Sequence, residues 1–291
     1  MVTIRPMRPE DVPEAERVSD EGFFALDTRQ RRVDEPEAAR RTDAHRAVWI
    51  ERTLHLVRHD PEGCWVAEDE TGMVGMATSL RREVVWCLAT YAVLPGRQGQ
   101  GIGRQLLAAA MHHGRACSRA MLSASTDAAA VRVYHQAGFA LHPQMYLTGR
   151  VERSAIPVVD RVREGTAADV DLMDSLDRAA RGAGHGVDHP LMLGAWRLLV
   201  SDTRSGSGYA YVDERGRVAL LAASDRRTAT RLLWAALADG PAETTIGHVT
   251  GANQWVLDVG FAARLTLKQD GFLGLRGMKP PAPYVHHGAL L

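Results

Sequence analysis

Residues 93–111 read "VLPGRQGQGIGRQLLAAAM": an apolar strand end at Val93, a proline at Pro95, three glycines within five residues, then an amphipathic run. A strand that feeds glycines into the start of a helix leaves several amide N–H groups facing outward, and such a nest binds anions. Gly99, Gly101 and Gly103 have no Cβ, so a diphosphate can reach those amides, and Arg104 and the helix dipole add favourable charge. The competing reading is a tight strand-to-helix turn without a ligand. Two other phosphate motifs do not fit: no Lys-Ser/Thr follows the last glycine, and the spacing is not G-x-G-x-x-G in a βαβ unit.

Outward from this stretch, the pattern is one of strands in hairpins with helices packed on them. "VTIRPM" reads as a first strand, a helix starts after Pro9, and a second runs through "EAARRTDAHRAVWIERTLHLVRH". Residues 63–95 alternate as successive antiparallel strands with a turn at "DETG". After the helix that follows the glycines come the strand "AMLSAS", the helix "DAAAVRVYHQAG" and the strand "FALHPQMYLTGRV". This order predicts an α+β fold, not a doubly wound parallel sheet.

The chain also echoes itself. Laying "IRPMRPEDV" on "VREGTAADV" matches Arg5 to Arg163 and Asp11 to Asp169, and "YHQAGFALHPQMYL" finds a counterpart in "VLDVGFAARLTL". We read an internal duplication with a linker near residues 152–160, giving a first domain over 1–151 and a second over 160–291. With 291 residues, two domains match the length.

Composition narrows the function classes. Lys+Arg and Asp+Glu are both 35, which argues against a nucleic-acid binder that relies on a basic surface. No stretch approaches ~20 apolar residues and there is no leader pattern, so no membrane partner is expected and the cytoplasm is the expected location. Cys64, Cys87 and Cys117 lack metal-like spacing and read as reduced core residues. The 12 histidines, His112, His113, His185, His189, His286 and His287 among them, show no HExxH or Cys/His pattern; they are expected at the surface or at caps, with no metal bound.

The glycine stretch resembles the phosphate-binding motif of the GCN5-related N-acetyltransferases (GNAT), Q/R-x-x-G-x-G/A, here Gln98-Gly99-Gln100-Gly101-Ile102-Gly103, with Gln98 in place of the usual Arg. "VRVYHQAGF" is similar to that family's Y-x-x-x-G-F ending. The whole arrangement resembles tandem bacterial acetyltransferases of the YitH/HolE type, in which two GNAT-like domains follow one another, each a mixed, mostly antiparallel sheet with flanking helices. The resemblance implies acetyl-CoA as co-substrate, with Tyr91 and Val93 on the pantetheine arm and Gln98, Gly99, Gln100, Gly101, Ile102, Gly103 and Arg104 on the pyrophosphate. It makes Tyr134 the general acid toward the departing thiolate. The Asn expected near the following strand is replaced by Ser125, Thr126 and Asp127.

For the general base, Glu83, just before the strand that leads into the glycines, is the first candidate and Glu21 the second. Trp49, Phe23, Phe24, Trp65 and Trp86 are read as an apolar pocket for the acceptor or as plain core. Aligning Leu232-Leu233 with Leu106-Leu107 puts Arg227 where Gly101 stands and Ala229 where Gly103 stands, and Trp255 and Val256 precede the second "GF". The second domain is thus expected to be degenerate. The expected activity is acetyl transfer to a primary amine of a small molecule. A non-catalytic acyl-CoA sensor and a protein or peptide N-acetyltransferase are the alternatives.

Overall fold

The computed structural model describes residues 1–31 and 36–291. The chain divides into two compact units, the first Met1–Arg81 with Trp86–Cys117, the second Arg82–Val85 with Ser118–Leu291.

The first unit holds β1 (Thr3–Pro6), α1 (Val12–Gln30), α2 (Asp43–His59), β2 (Cys64–Asp69), most of β3 (Gly72–Arg82) and β4 (Val85–Val93), and α3 (Ile102–His113). Its strands lie in the order β1-β2-β3-β4, with β1–β2 and β2–β3 antiparallel. Residues 73–80 of β3 are all buried, so this strand is covered on both faces and reads as a continuous apolar and small-residue run. Ile102, Leu106, Leu107 and Ala110 of α3 turn into the same core. Trp86 is fully buried there: its Nε1 donates to the Ala110 carbonyl at 3.1 Å, and Gly114 leaves room for its ring, which an added Cβ would meet at 2.5 Å. Trp86 is therefore core and not pocket lining. The second helix begins at Asp43, later than its apolar pattern suggests, because Thr42 caps it by accepting from the His45 amide.

The second unit holds β5 (Arg119–Ala124), α4 (Ala128–Gln136), β6 (Ala140–Arg150), β7 (Arg163–Glu164), α5 (Val170–Ala180), α6 (His189–Ala195), β8 (Arg197–Thr203), β9 (Gly206–Val212), β10 (Val218–Ala223), α7 (Arg226–Asp239), β11 (Glu243–Thr250), α8 (Gln254–Ala262), β12 (Thr266–Arg276) and β13 (Tyr284–Val285). Two runs of strands form, β5-β12-β6-β11 and β13-β10-β9-β8-β7. β12 slots between β5 and β6: Gly274 faces Leu122 on one side and Leu141 on the other, and a Cβ there would strike the Leu122 side chain at 2.7 Å. The segment expected as a linker is docked. Arg153 donates to the carbonyls of Leu237, Ala238 and Gly240 at the C-terminal end of α7, where a cation suits the helix dipole.

The duplication is visible in side-chain geometry. Arg5 makes a two-pronged pair with Asp11 at 2.6 and 2.8 Å, and Arg163 makes the same pair with Asp169 at 3.0 and 2.5 Å. Each aspartate also accepts the amide three residues before it, Arg8 in one case and Thr166 in the other, so the same turn is closed twice.

The second echo shifts by one helical turn. After α4 the chain turns at Gly138 (φ 89°), with Phe139 N bonded to Tyr134 O; after α8 it turns at Arg264 (φ 64°), with Leu265 N bonded to Gly260 O. The counterpart of Tyr134 is thus Gly260, not Trp255 or Val256. Gly260 is small because Leu147 packs on it: a Cβ would sit 2.6 Å from that side chain.

Candidate active site

β4 ends at Val93, and residues 94–101 carry the chain to α3. The Gln98 side chain donates to the Val93 carbonyl at 3.1 Å, while Arg97 reaches Asp69 at 3.0 Å and Thr71 at 3.3 Å, pinning the loop to the β2–β3 turn. Gly99 (φ 78°) and Gly101 (φ 81°) occupy the left-handed region that L-residues avoid, and nothing lies within 4 Å of the position a Cβ would take on either. The first intrahelical bond of α3 runs from Gln105 N to Gly101 O, and no side chain caps Gly101. The amides of Ile102, Gly103 and Arg104 therefore head the helix without a side-chain acceptor from its cap, next to the open space at Gly99 and Gly101.

Two expected roles change. Gly103 has an ordinary helical backbone; its missing Cβ accommodates the Tyr91 hydroxyl, which would stand 2.1 Å away. Ile102 buries its side chain in the core, leaving only its amide to face outward. Gln98, Gly99, Gln100, Gly101 and Arg104 are exposed, as an anion cradle requires.

The second half offers a contrast. Leu232, Leu233 and Ala236 of α7 are buried with the spacing of Leu106, Leu107 and Ala110, which places Arg227 at the position of Gly101. There, however, the helix has already begun, and the Asp225 carboxylate accepts the Thr228 amide at 3.0 Å. A protein carboxylate fills the cap, so an incoming phosphate would meet like charge.

In the first unit α1 rests on the end of β4: a Cβ on Gly22 would come within 3.5 Å of the Ala92 Cβ and 3.8 Å of the Val93 oxygen. Phe23 and Phe24 on the same helix lie under Arg41 and Arg40, at 5.9 and 4.3 Å from ring centre to guanidinium carbon. Trp65 donates to the Glu62 carbonyl at 2.9 Å. Glu21 pairs with Arg17 at 2.8 Å on the exposed face of α1.

Tyr134 and Glu83 belong to the second unit. Tyr134 is buried on α4, whose cap is Asp127, accepting the amides of Ala129 and Ala130 at 3.0 and 2.8 Å. Glu83 sits in a left-handed turn (φ 48°), and its Oε1 accepts from Arg178 at 2.8 Å and from the Gly184 amide at 3.1 Å. The carboxylate ties the β3–β4 turn to the segment after α5.

Sequence reasoning misplaced several histidines. His113, His185, His189 and His286 are buried, not at the surface. Asp177 accepts from His185 at 2.7 Å and from the Tyr209 hydroxyl at 2.7 Å, while His189 contacts Asp174 and Tyr211, each at 3.1 Å. Donor atoms of Asp177, His185 and His189 lie within 4.8 Å of one another, a grouping that their sequence spacing did not announce. Burial pushes the His189 imidazole below its usual pKa, and pushes His286 well below it. Both bind a proton less readily folded than unfolded, where they regain ordinary basicity, so the unfolded chain binds more protons below about pH 6.5. Stability is thus expected to hold above that pH and to fall on acidification, by at most about 1.4 kcal/mol per pH unit per imidazole. Thermal unfolding followed from pH 7.5 to 5.5 checks this; a flat Tm would refute it.

The helix after β4 is headed by glycines and carries no side-chain cap. Residues 23–139 match the acetyltransferase (GNAT) family, so the chain carries a GNAT acetyltransferase domain. No curated protein sequence matches the chain. Among solved structures, a Pyrococcus horikoshii protein assigned as an acetyltransferase is similar over 99% of this chain and 95% of its own, with 19% identity and a TM-score of 0.74. A GCN5-related N-acetyltransferase from Sphaerobacter thermophilus covers 94% of this chain and 95% of its own at 17% identity and a TM-score of 0.57. A tandem GNAT protein from the clavulanic acid biosynthesis pathway covers 96% and 99% at 13% identity, also with a TM-score of 0.57. These likenesses establish the tandem GNAT fold over nearly the full chain. Among the described residues no helix is long and apolar enough to cross a membrane.

Proposed function

We propose that the chain is an acetyl-CoA-dependent N-acetyltransferase of the cytoplasm that passes the acetyl group directly to the primary amine of a small molecule, with no metal in the reaction. The observation that carries this reading is the uncapped head of α3 beside Gly99 and Gly101, which fits a pyrophosphate. Bound acetyl-CoA would supply the thioester: the acceptor nitrogen bonds to its carbonyl carbon, the carbon–sulfur bond breaks, and the thiolate needs a proton. Tyr134, whose unperturbed pKa near 10 keeps it protonated at neutral pH, is assigned that proton.

The amine must also lose a proton. Glu83, expected as the base, is held by Arg178 and the Gly184 amide, so we assign the step to Asp27 on α1. Asp27 is exposed on α1, and partial desolvation pushes its carboxyl up against the charge of Arg41, which makes it a better base.

We read the second domain, 160–291, as degenerate and the first, 1–151, as catalytic, because Asp225 caps α7 and Gly260 stands where Tyr134 stands. Calorimetric titration with acetyl-CoA is therefore expected to give one site per chain. Two equivalent sites would overturn the degenerate reading, and no binding at all would overturn the coenzyme assignment. Thiol release with an amine panel then tests transfer.

A further inference from the structure

Arg52 on α2 lies one turn beyond Trp49. Arg52 is half-buried; its Nε is shielded from solvent and has no hydrogen-bond partner among the described residues. The neighbouring Arg41 is fully engaged: it donates to Glu16 at 3.2 Å, to Ser19 at 2.9 Å and, through its backbone, to Asp20 at 3.0 Å. Arg41 also stacks over Trp49 and Phe23, at 5.5 and 5.9 Å. Burial, and then the charge of Arg41, push the Arg52 guanidinium down to about 10. A shielded cation beside a second cation is costly to fold around unless something on hand offsets it. Every other arginine of this layer with described contacts has its anion: Arg40 has Asp20, and Arg46 has Glu16.

Position supplies the rest of the argument. Helix α1 touches Val93 at Gly22, the next residue, Phe23, lies under Arg41, and Arg41 lies over Trp49, with its charge felt by Arg52 on α2. Arg52, with its Nε unbonded among the described residues, thus follows the aromatic-and-arginine layer of α1 and α2 by one turn, and α1 itself rests on the end of β4. Resting on the acetyltransferase reading above, we propose that Arg52 binds a carboxylate carried by the acceptor, so that the substrate class is amino acids and amino-acid-like amines. A guanidinium offers a planar fork that matches a carboxylate, and Trp49 and Phe23 provide apolar surface for the rest of the molecule.

The test compares α-amino acids with their amides and with the corresponding decarboxylated amines, for instance phenylalanine, phenylalaninamide and 2-phenylethylamine. Thiol release is measured alongside calorimetry of the same amines titrated into coenzyme-saturated protein. The acids are expected to have KM values about 10- to 100-fold lower than their neutral analogues, the range of a charge-assisted hydrogen bond. Arg52→Gln should raise KM for the acids to the neutral level while leaving kcat, acetyl-CoA affinity and the KM of neutral amines unchanged. Arg52→Lys, which keeps the charge and loses the fork, should fall between and guards against a folding defect in the first variant. Acids and amides used equally, or acid affinity indifferent to Arg52, would overturn the proposal. Acids that bind in an Arg52-dependent way without any thiol release would support the carboxylate contact and sink the transfer reading alone.

Discussion

Gly101→Val is expected to weaken acetyl-CoA binding by about two orders of magnitude or more while the protein stays folded. Gly101 has a left-handed backbone (φ 81°) with nothing of the protein within 4 Å of a would-be Cβ. Valine therefore clashes with no neighbour. It brings about 1–2 kcal/mol of backbone strain and places a branched side chain in the open space before the α3 amides, where the pyrophosphate must come within hydrogen-bond reach. Calorimetry with acetyl-CoA reads the loss, and circular dichroism confirms the fold. Gly103→Ala is the contrasting control. Its Cβ would meet the Tyr91 hydroxyl at 2.1 Å, so it should lower Tm by displacing Tyr91 before it touches any ligand. Unchanged coenzyme affinity in Gly101→Val would remove the glycine loop from the binding site.

Tyr134→Phe is expected to lower kcat by a factor on the order of 10² with acetyl-CoA affinity unchanged. The substitution keeps a ring in the buried position on α4 and removes only the hydroxyl. If Tyr134 gives its proton to the departing thiolate, the loss falls on the chemical step. The rate should then become sensitive to the basicity of the leaving thiolate, which comparison of thioesters with different thiol pKa values would reveal. A variant that turns over at the wild-type rate would assign that proton to water. A variant with weakened coenzyme binding as well would make Tyr134 a packing residue.

The loop and the helix boundaries were legible because their causes are local. Glycines before an amphipathic run, Asp127 before α4 and the alternation through β2–β4 act over a few residues, and α3, α4 and β2–β4 formed close to where their own sequence called for them. The duplication was legible for a related reason: the pairs Arg5–Asp11 and Arg163–Asp169 span one turn each, so repeated sequence gave repeated geometry.

Where the sequence reading failed, the deciding partner was distant. Gly103 is small because of Tyr91 across the loop, Gly260 because of Leu147, and Gly274 because β12 lies against Leu122. Glu83 passes for a base until Arg178, 95 residues on, takes its carboxylate. His185 and His189 pass for surface histidines until α5 and β9 surround them with Asp177, Tyr209 and Tyr211. By itself, then, the sequence determined a tandem GNAT fold and a glycine-rich turn ahead of an uncapped helix, since backbone conformation and capping are properties of short segments. The tertiary structure alone decided which glycines face open space and which serve packing, which carboxylate is bridged, and that among the described residues the Arg52 Nε has no partner, because burial and pairing depend on what other segments bring to each side chain.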